Sequence, residues 1–418
     1  MTKRRFISSA RLFHVLALAV SSNVFAQVKV AYIDPLSGPF AAIGDFGLKS
    51  FIAAADDVNA KGGLPGGQKL EIVPMDNKGS PEESLLLFKK VTDRGIRYII
   101  QGQGSGAAGA LIGAVNKWNE RNPDKSVLFL NYSSNDPELT NAKCSFWYYS
   151  FDAHNLMKME ALTNYIAKDK SIKKVFILGQ DYAHGQQLAK AVTTMLPKKR
   201  PDIEIVGNDL HPFGKVKDFS PYVAKIKDSG ADTVITGNWG NDLSLLLRAA
   251  KEASLKTKFF TYFAAVRGTP TALGEMPEGT VYQISEWHRN ISPNTLEKFA
   301  DDYAKRFPGL EFSYVRINTT VQMLAEAMNK SKSLDPKQVS FALEGMEYQA
   351  GNGKVTMRKA DHQLLQPMVL SVYSRKDGKE VRHDTEGTGY GFKTVAMIPA
   401  SETEVPTTCA MKRPDGKQ

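Results

Sequence analysis

Four polar loops in the sequence have the composition of a small-molecule binding site. Residues 101–109 read Gln-Gly-Gln-Gly-Ser-Gly-Ala-Ala-Gly and precede a predicted helix. Backbone N–H groups at a helix N-terminus attract anions, glycines let a ligand approach closely, and Ser105 adds a hydroxyl donor. The other loops are residues 131–140, 179–185 and 237–242, and they carry Ser133, Asn135, Tyr182, Asn238 and Trp239. Ordinary strand-to-helix turns have a similar composition, but four such loops together favour binding of a polar or anionic ligand.

Two catalytic interpretations compete with simple binding. Residues 104–109 match the G-x-G-x-x-G dinucleotide fingerprint, but they follow the third predicted strand and no acidic residue ends the next strand. Ser105 lacks a G-x-S-x-G context. The histidines show no metal-binding spacing, and we expect most of them at the surface: His154, His184, His211, His288, His362 and His383. The sequence therefore favours a binder without enzymatic activity, cofactor or metal, with an NAD-dependent dehydrogenase as the alternative.

The four loops follow strands of a repeating strand–helix pattern. Short apolar runs at residues 28–33, 70–75, 98–100 and 127–130 alternate with amphipathic helical segments, and the pattern begins again at residue 174. Such alternation predicts an α/β fold with two doubly wound parallel-sheet lobes. Ligands of such sheets bind outside the carboxyl ends of the strands, where these loops lie.

The first 26 residues predict a secretory signal peptide. Lys3, Arg4 and Arg5 precede an apolar run at residues 12–20, which is too short to cross a bilayer, and we expect cleavage after Ala26. The remaining chain is long enough for two domains. The formal net charge of +10 is spread along the chain, so we expect neither nucleic-acid binding nor membrane insertion.

The chain has two cysteines, Cys144 and Cys409. Export would permit a disulfide between them, and an entropy model gives roughly 4–5 kcal/mol for closing so long a loop. Two unpaired thiols are the alternative. The two cysteines have no neighbouring histidine cluster and do not form a zinc site.

Several short stretches, in this order, resemble the type I periplasmic binding proteins of branched-chain amino acid ABC importers. They are residues 36–39, 44–45, 57–63, Asp76, the Ser105 loop, residues 136–140, 181–185 and 217–220. The resemblance covers nearly all of the chain after the leader. It implies two lobes joined by three hinge crossovers near residues 150, 284 and 360.

The division that follows from this resemblance has four parts. We expect a signal peptide at 1–26, lobe 1 at 27–149 and 285–360, lobe 2 at 150–284 and 361–384, and a C-terminal strap at 385–418.

The resemblance also assigns site residues. The family's carboxylate-binding serine matches Ser105, further contacts to the amino acid match Ser133 and Asn135, and the second-lobe tyrosine matches Tyr182. The next second-lobe contact matches Asn238, with Trp239 adjacent.

Two positions depart from the family pattern. Ile43 replaces an aromatic residue, and Phe263 falls where the family places the acid that receives the ligand's ammonium. The ligand is then either an aliphatic or aromatic acid or amide without the α-ammonium, or a branched-chain amino acid whose ammonium meets Asp181 or Glu286 instead.

The resemblance implies a periplasmic, monomeric receptor for a small amino acid, carboxylate or amide. Its protein partner would be the permease of an ABC importer. A ligand-sensing subunit of a membrane signalling receptor is the alternative in another functional class.

Overall fold

A computed structural model describes residues 27–414 of the protein. The expected signal peptide lies outside the described residues. Within them, no helix has the length and apolarity needed to span a membrane.

The first sheet has five parallel strands, and α-helices connect the first four of them in chain order. In spatial order they are β2 (Lys69–Asp76), β1 (Gln27–Asp34), β3 (Tyr98–Gln101), β4 (Leu128–Asn131) and β5 (Tyr148–Ser150). The connecting helices are α1 (Ala41–Ala60), α2 (Pro81–Asp93) and α3 (Ser105–Arg121). Alternate residues of β1 enter two cores: Ala31 and Ile33 pack on one face of the sheet, and Val30 and Tyr32 pack on the other.

The second sheet contains seven strands. Its parallel part contains β6 (Lys174–Gln180), β7 (Glu204–His211), β8 (Thr233–Thr236), β9 (Lys258–Thr261) and β10 (Val281–Ser285). The helices of this part are α4 (Asn155–Lys168), α5 (Ala183–Lys199), α6 (Ser220–Asp228), α7 (Gly240–Glu252) and α8 (Thr269–Leu273).

The chain then returns to the first lobe. This segment contains α9 (Glu297–Arg306), α10 (Val315–Ser331) and α11 (Pro336–Leu343), followed by a small sheet of β11 (Glu347–Ala350), β12 (Gly353–Met357) and β13 (Leu364–Leu365). Helix α10 packs against α1. Short 3-10 helices lie in the loops at Gly38–Phe40, Pro65–Gly67, Pro123–Lys125, Pro137–Thr140 and Ala400–Glu402.

The C-terminal part of the chain, where we predict a strap, contains a regular strand. After β14 (Met368–Arg375), residues within the predicted strap form β15 (Tyr390–Ile398), and both strands pair antiparallel at the edge of the second sheet. The second lobe is therefore a mixed sheet rather than a purely parallel one. Residues 399–414 contain no strand, and there Cys409 forms a disulfide with Cys144, with the Cα atoms 5.7 Å apart.

Candidate functional site

A cavity lies between the carboxyl ends of the two sheets, and its lining surrounds about 360 Å³ of space, part of which is open to solvent. The first lobe lines it with Ile43, Gly102, Gln103, Gly104, Ser105, Ser133, Ser134, Asn135 and Tyr314, and the second with Tyr182, His184, Trp239, Phe263 and Val266. The cavity therefore has a wall from each lobe.

The buried carboxylate of Asp34, at the end of β1, fixes the loop between β3 and α3. It accepts hydrogen bonds from the backbone N–H of Gln103 at 2.8 Å and of Gly102 at 3.2 Å, and from the Tyr132 hydroxyl at 2.8 Å. Burial raises the pKa of Asp34 to about 7. A Cβ atom on Gly102 would lie 2.5 Å from the Tyr132 ring, so only glycine permits this packing. The loop thereby holds Ser105, the first residue of α3, at the cavity wall.

The loop after β4 leaves one hydroxyl free to donate to a ligand. The Asn135 amide nitrogen donates to Asp152 at 2.7 Å and to the Ala153 carbonyl at 2.9 Å, so both of its hydrogens are used. Ser134 donates its hydroxyl to the Gly102 carbonyl. Ser133 accepts a hydrogen bond from Arg316 at 3.4 Å and keeps its own hydrogen. Ser105 and Ser133, rather than Asn135, can therefore donate to an anionic group.

The second lobe contributes an aromatic wall. The Trp239 indole N–H donates to the Tyr182 hydroxyl at 2.7 Å, and Tyr182 and Trp239 are the N-cap residues of α5 and α7. Burial raises the pKa of Tyr182, so its hydroxyl keeps its proton and can donate to a ligand. Phe263, after β9, adds a third ring. These side chains present apolar faces to the body of a ligand and one hydroxyl donor.

Six of the seven predicted ligand contacts line the cavity, but Asn238 does not. The Asn238 side chain is fully buried, and its amide nitrogen lies 2.8 Å from Nε2 of His211. Its side chain packs behind the turn before Trp239, outside the lining of the cavity.

The expectation that most histidines lie at the surface was wrong. Five of the six named histidines are buried: His154, His184, His211, His288 and His362. His184, in the first turn of α5, lines the cavity, and its Nε2 atom lies 2.9 Å from the Gly237 carbonyl oxygen. Burial, assisted by the charge of Lys158, lowers the pKa of His184 to about 4. Its place two residues after Tyr182, in the first turn of the predicted helix, was the sequence signal for this contact.

A buried cluster of four charges lies where the chain crosses between the lobes. Asp152 follows β5, and its carboxylate lies 2.8 Å from the Lys158 ammonium. Glu286 follows β10, and its carboxylate lies 2.8 Å from the Arg316 guanidinium and 3.5 Å from Lys158. Although burial by itself would raise the pKa of Glu286, Arg316 and Lys158 outweigh burial and hold this pKa well below its usual range. The charges compensate each other within the cluster.

Neither proposed substitute for the family's acidic residue lines the cavity. Glu286 is committed to the cluster of four charges. Asp181 is exposed and accepts a hydrogen bond from Gln186 at 2.9 Å. Between residues 27 and 414, no carboxylate lines this cavity, and no group of acidic, histidine or cysteine side chains could hold a metal ion.

Comparison with known proteins agrees with this architecture. Residues 27–379 match the family model described as periplasmic binding protein. The Leu/Ile/Val-binding protein homolog 4 of Brucella abortus is 32% identical over 99% of this chain and 100% of its own length. The Leu/Ile/Val-binding protein of Escherichia coli K12 is 27% identical over 83% of this chain and 91% of its own.

A solved structure has the same fold over nearly the whole chain. The leucine-, isoleucine-, valine-, threonine- and alanine-binding protein of Brucella ovis, in its closed conformation, superposes with a TM-score of 0.81 at 30% identity. The superposition covers 93% of this chain and 100% of that protein. Members of this family bind solutes and are not enzymes, and the chain belongs to the periplasmic binding protein family.

Proposed function

We propose that this protein is exported to the periplasm, where it captures a small carboxylate-bearing solute as a monomer and delivers it to the permease of an ABC importer. In this proposal it has no enzymatic activity. Residues 1–26 are its signal peptide, residues 27–149 and 285–360 form lobe 1, and residues 150–284 and 361–384 form lobe 2. The names of its relatives and the presence of a cavity lined by both lobes support this role.

The chemistry of the first-lobe wall is the observation that carries the proposal. The N-terminus of α3, with Ser105, lines the cavity, and Ser133 lies near it with a free hydroxyl hydrogen. Helix N-termini and hydroxyl donors stabilise anions. The absence of any lining carboxylate among residues 27–414 leaves this end of the site without a repelling charge. We therefore place the ligand carboxylate against Ser105 and Ser133.

A branched-chain amino acid is the second candidate ligand. The names of the Brucella and Escherichia relatives support it, and Ile43 and Val266 offer apolar surface for an aliphatic side chain. Its ammonium, however, would enter a closed cavity without an acidic partner, which is costly. The ligand class without an α-ammonium avoids this cost.

Closure of the lobes would couple capture to delivery. A ligand held by Ser105 on one side and by Tyr182 on the other makes its full set of contacts only when both walls are present. Differential contact of this kind favours the closed form. The permease would then recognise the closed form.

The proposal is tested with mature protein, residues 27–418, freed of bound solutes by unfolding and refolding. Melting temperatures are measured with aliphatic amino acids, aliphatic and aromatic carboxylates, and amides, since a binder raises the melting temperature by mass action. Trp239→Ala is expected to abolish the shift, whereas Trp118→Ala, outside the cavity, leaves it. If no carboxylate or amino acid raises the melting temperature, the proposal is refuted.

A further inference from the structure

One ring nitrogen of His184 has no hydrogen-bond partner in the part of the chain that the structure describes. The side chain lines the cavity and is 2% exposed. Its Nε2 atom contacts the Gly237 carbonyl, whereas Nδ1 is buried and unpaired. Nδ1 is therefore the one polar atom of this ring that remains for a ligand.

The partner of Nε2 determines the tautomer. A carbonyl oxygen only accepts hydrogen bonds, so Nε2 carries the proton that is shared with Gly237. The pKa of about 4 keeps the ring neutral near pH 7. A neutral ring has one N–H, so Nδ1 holds a lone pair and can only accept.

An acceptor in this position selects for ligands with a hydrogen-bond donor. A ligand that shields Nδ1 from water without donating to it leaves a buried acceptor unpaired. Such a loss corresponds to about a 5- to 100-fold weaker affinity. A ligand with a donor at this place does not pay this penalty.

The surrounding charges favour a neutral donor over an ammonium. Phe263 occupies the place of the family's acidic residue, and the Lys158 ammonium lies 5.2 Å from the centre of the Phe263 ring. Lys158 is itself paired with Asp152 and Glu286, so neither of these two carboxylates is left for a cationic ligand. A hydroxyl or amide N–H can donate to Nδ1 without requiring a compensating charge.

We propose that His184 determines ligand specificity by accepting a hydrogen bond from a neutral donor, so that the protein prefers hydroxylated carboxylates to the corresponding amino acids. This inference rests on the proposed function, because it takes the carboxylate to lie against Ser105 and Ser133.

Two matched ligand series test the inference by calorimetry near pH 7. The aliphatic series is 4-methylpentanoate, 2-hydroxy-4-methylpentanoate and leucine, which present no donor, a neutral donor and a cationic donor on one skeleton. The aromatic series is benzoate with its hydroxy and methoxy derivatives. In at least one series, the hydroxy member is expected to bind about 5- to 100-fold more tightly than its donor-free counterpart. Leucine is expected to bind more weakly than its hydroxy analogue.

The variant His184→Gln isolates the role of Nδ1. Its amide nitrogen can still donate to the Gly237 carbonyl, whereas the ring acceptor Nδ1 is removed and the amide oxygen is the one acceptor that the side chain retains. We expect the hydroxy preference, measured as the ratio of the two dissociation constants within each series, to fall below about 2-fold. His288→Gln, outside this cavity, is the control and should keep the preference. In the wild type, the 15N signal of His184 Nδ1 should shift with hydroxy ligands and not with donor-free ones.

The outcomes separate the two proposals. Carboxylate binding without hydroxy preference, a preference that survives in His184→Gln, or leucine as the tighter ligand would overturn the role of His184 and leave solute capture intact. Failure of every amino acid and carboxylate to bind would overturn the proposed function and this inference with it.

Discussion

The Phe40 ring of the first lobe stacks on the Phe213 ring of the second lobe, with ring centres 5.0 Å apart and planes inclined by 10°. Phe40 also lies 4.6 Å from the Trp239 ring, whose residue lines the cavity. Phe213 in turn lies 4.7 Å from Tyr182. These rings join the two lobes beside the cavity, and so the contact exists only when the lobes are together.

Phe40→Ala is expected to shift the protein towards the open form. An aromatic pair contributes about 0.5–1.5 kcal/mol beyond its buried area. Without this contact, part of the free energy of ligand binding must be used to close the lobes. Ligand affinity should therefore fall about 2- to 10-fold. Small-angle scattering of the ligand-free variant should give a larger radius of gyration. Phe341→Ala removes a similar contact with Phe146, at 4.9 Å within one lobe, and should change stability without changing affinity. Equal effects of both variants on affinity would refute the interlobe role of Phe40.

Ser105→Ala is expected to weaken binding of every carboxylate ligand by about 1–3 kcal/mol, because a hydrogen bond to a buried charge is lost. The melting temperature without ligand should change little. The control is Ser220→Ala, since Ser220 is also the first residue of a helix but lies outside the cavity. An unchanged dissociation constant in Ser105→Ala would show that the ligand carboxylate lies elsewhere.

The order of strands and helices could be predicted because it depends on local hydrophobic periodicity. The predicted strand at 28–33 is β1, Gln27–Asp34, and the polar loops at the ends of parallel strands meet at one cavity. The missed features depend on contacts distant in sequence. Asp34 holds a loop that lies 68 residues further along the chain, and Phe40 meets Phe213 only across the lobes. An antiparallel edge strand with one exposed face, such as β15, has a weak apolar pattern and therefore resembled a loop.

Arg316→Met is expected to destabilise the protein by about 3–5 kcal/mol. The change leaves Glu286 and Asp152 buried with one cation between them, and an uncompensated buried charge is costly. Urea denaturation measures this loss. Arg306→Met, which removes an exposed pair with Asp56, should cost less than about 1 kcal/mol. If Arg316→Met and Arg306→Met lowered the free energy of unfolding by similar amounts, the interpretation that the four buried charges compensate each other would be wrong.

His154→Asn is expected to change how stability depends on pH. The His154 Nδ1 atom accepts the Met157 N–H at the start of α4, and asparagine can cap this helix in the same way. Burial, against the attraction of Asp361, lowers the pKa of His154 to about 4. The unfolded chain therefore takes up a proton near pH 6.5 that the folded protein does not accept until about pH 4. The contribution of the neutral His154 ring to the free energy of unfolding is fully present above pH 6.5 and is lost as the pH falls towards 4.

The comparison of variant and wild type isolates this single titration. Asp34, whose pKa is raised to about 7 by burial, contributes a pH dependence of opposite sign, but it is present in both proteins and cancels in the difference. As the pH falls from 6.5 to 4, wild type loses the contribution of His154 and the variant does not. The free energy of unfolding of His154→Asn should therefore rise relative to that of wild type by up to about 1.4 kcal/mol for each unit by which the pH falls. Above pH 7 the difference should be constant. Urea denaturation at several pH values measures both proteins, and parallel stability curves down to pH 4.5 would mean that His154 is protonated in the folded state.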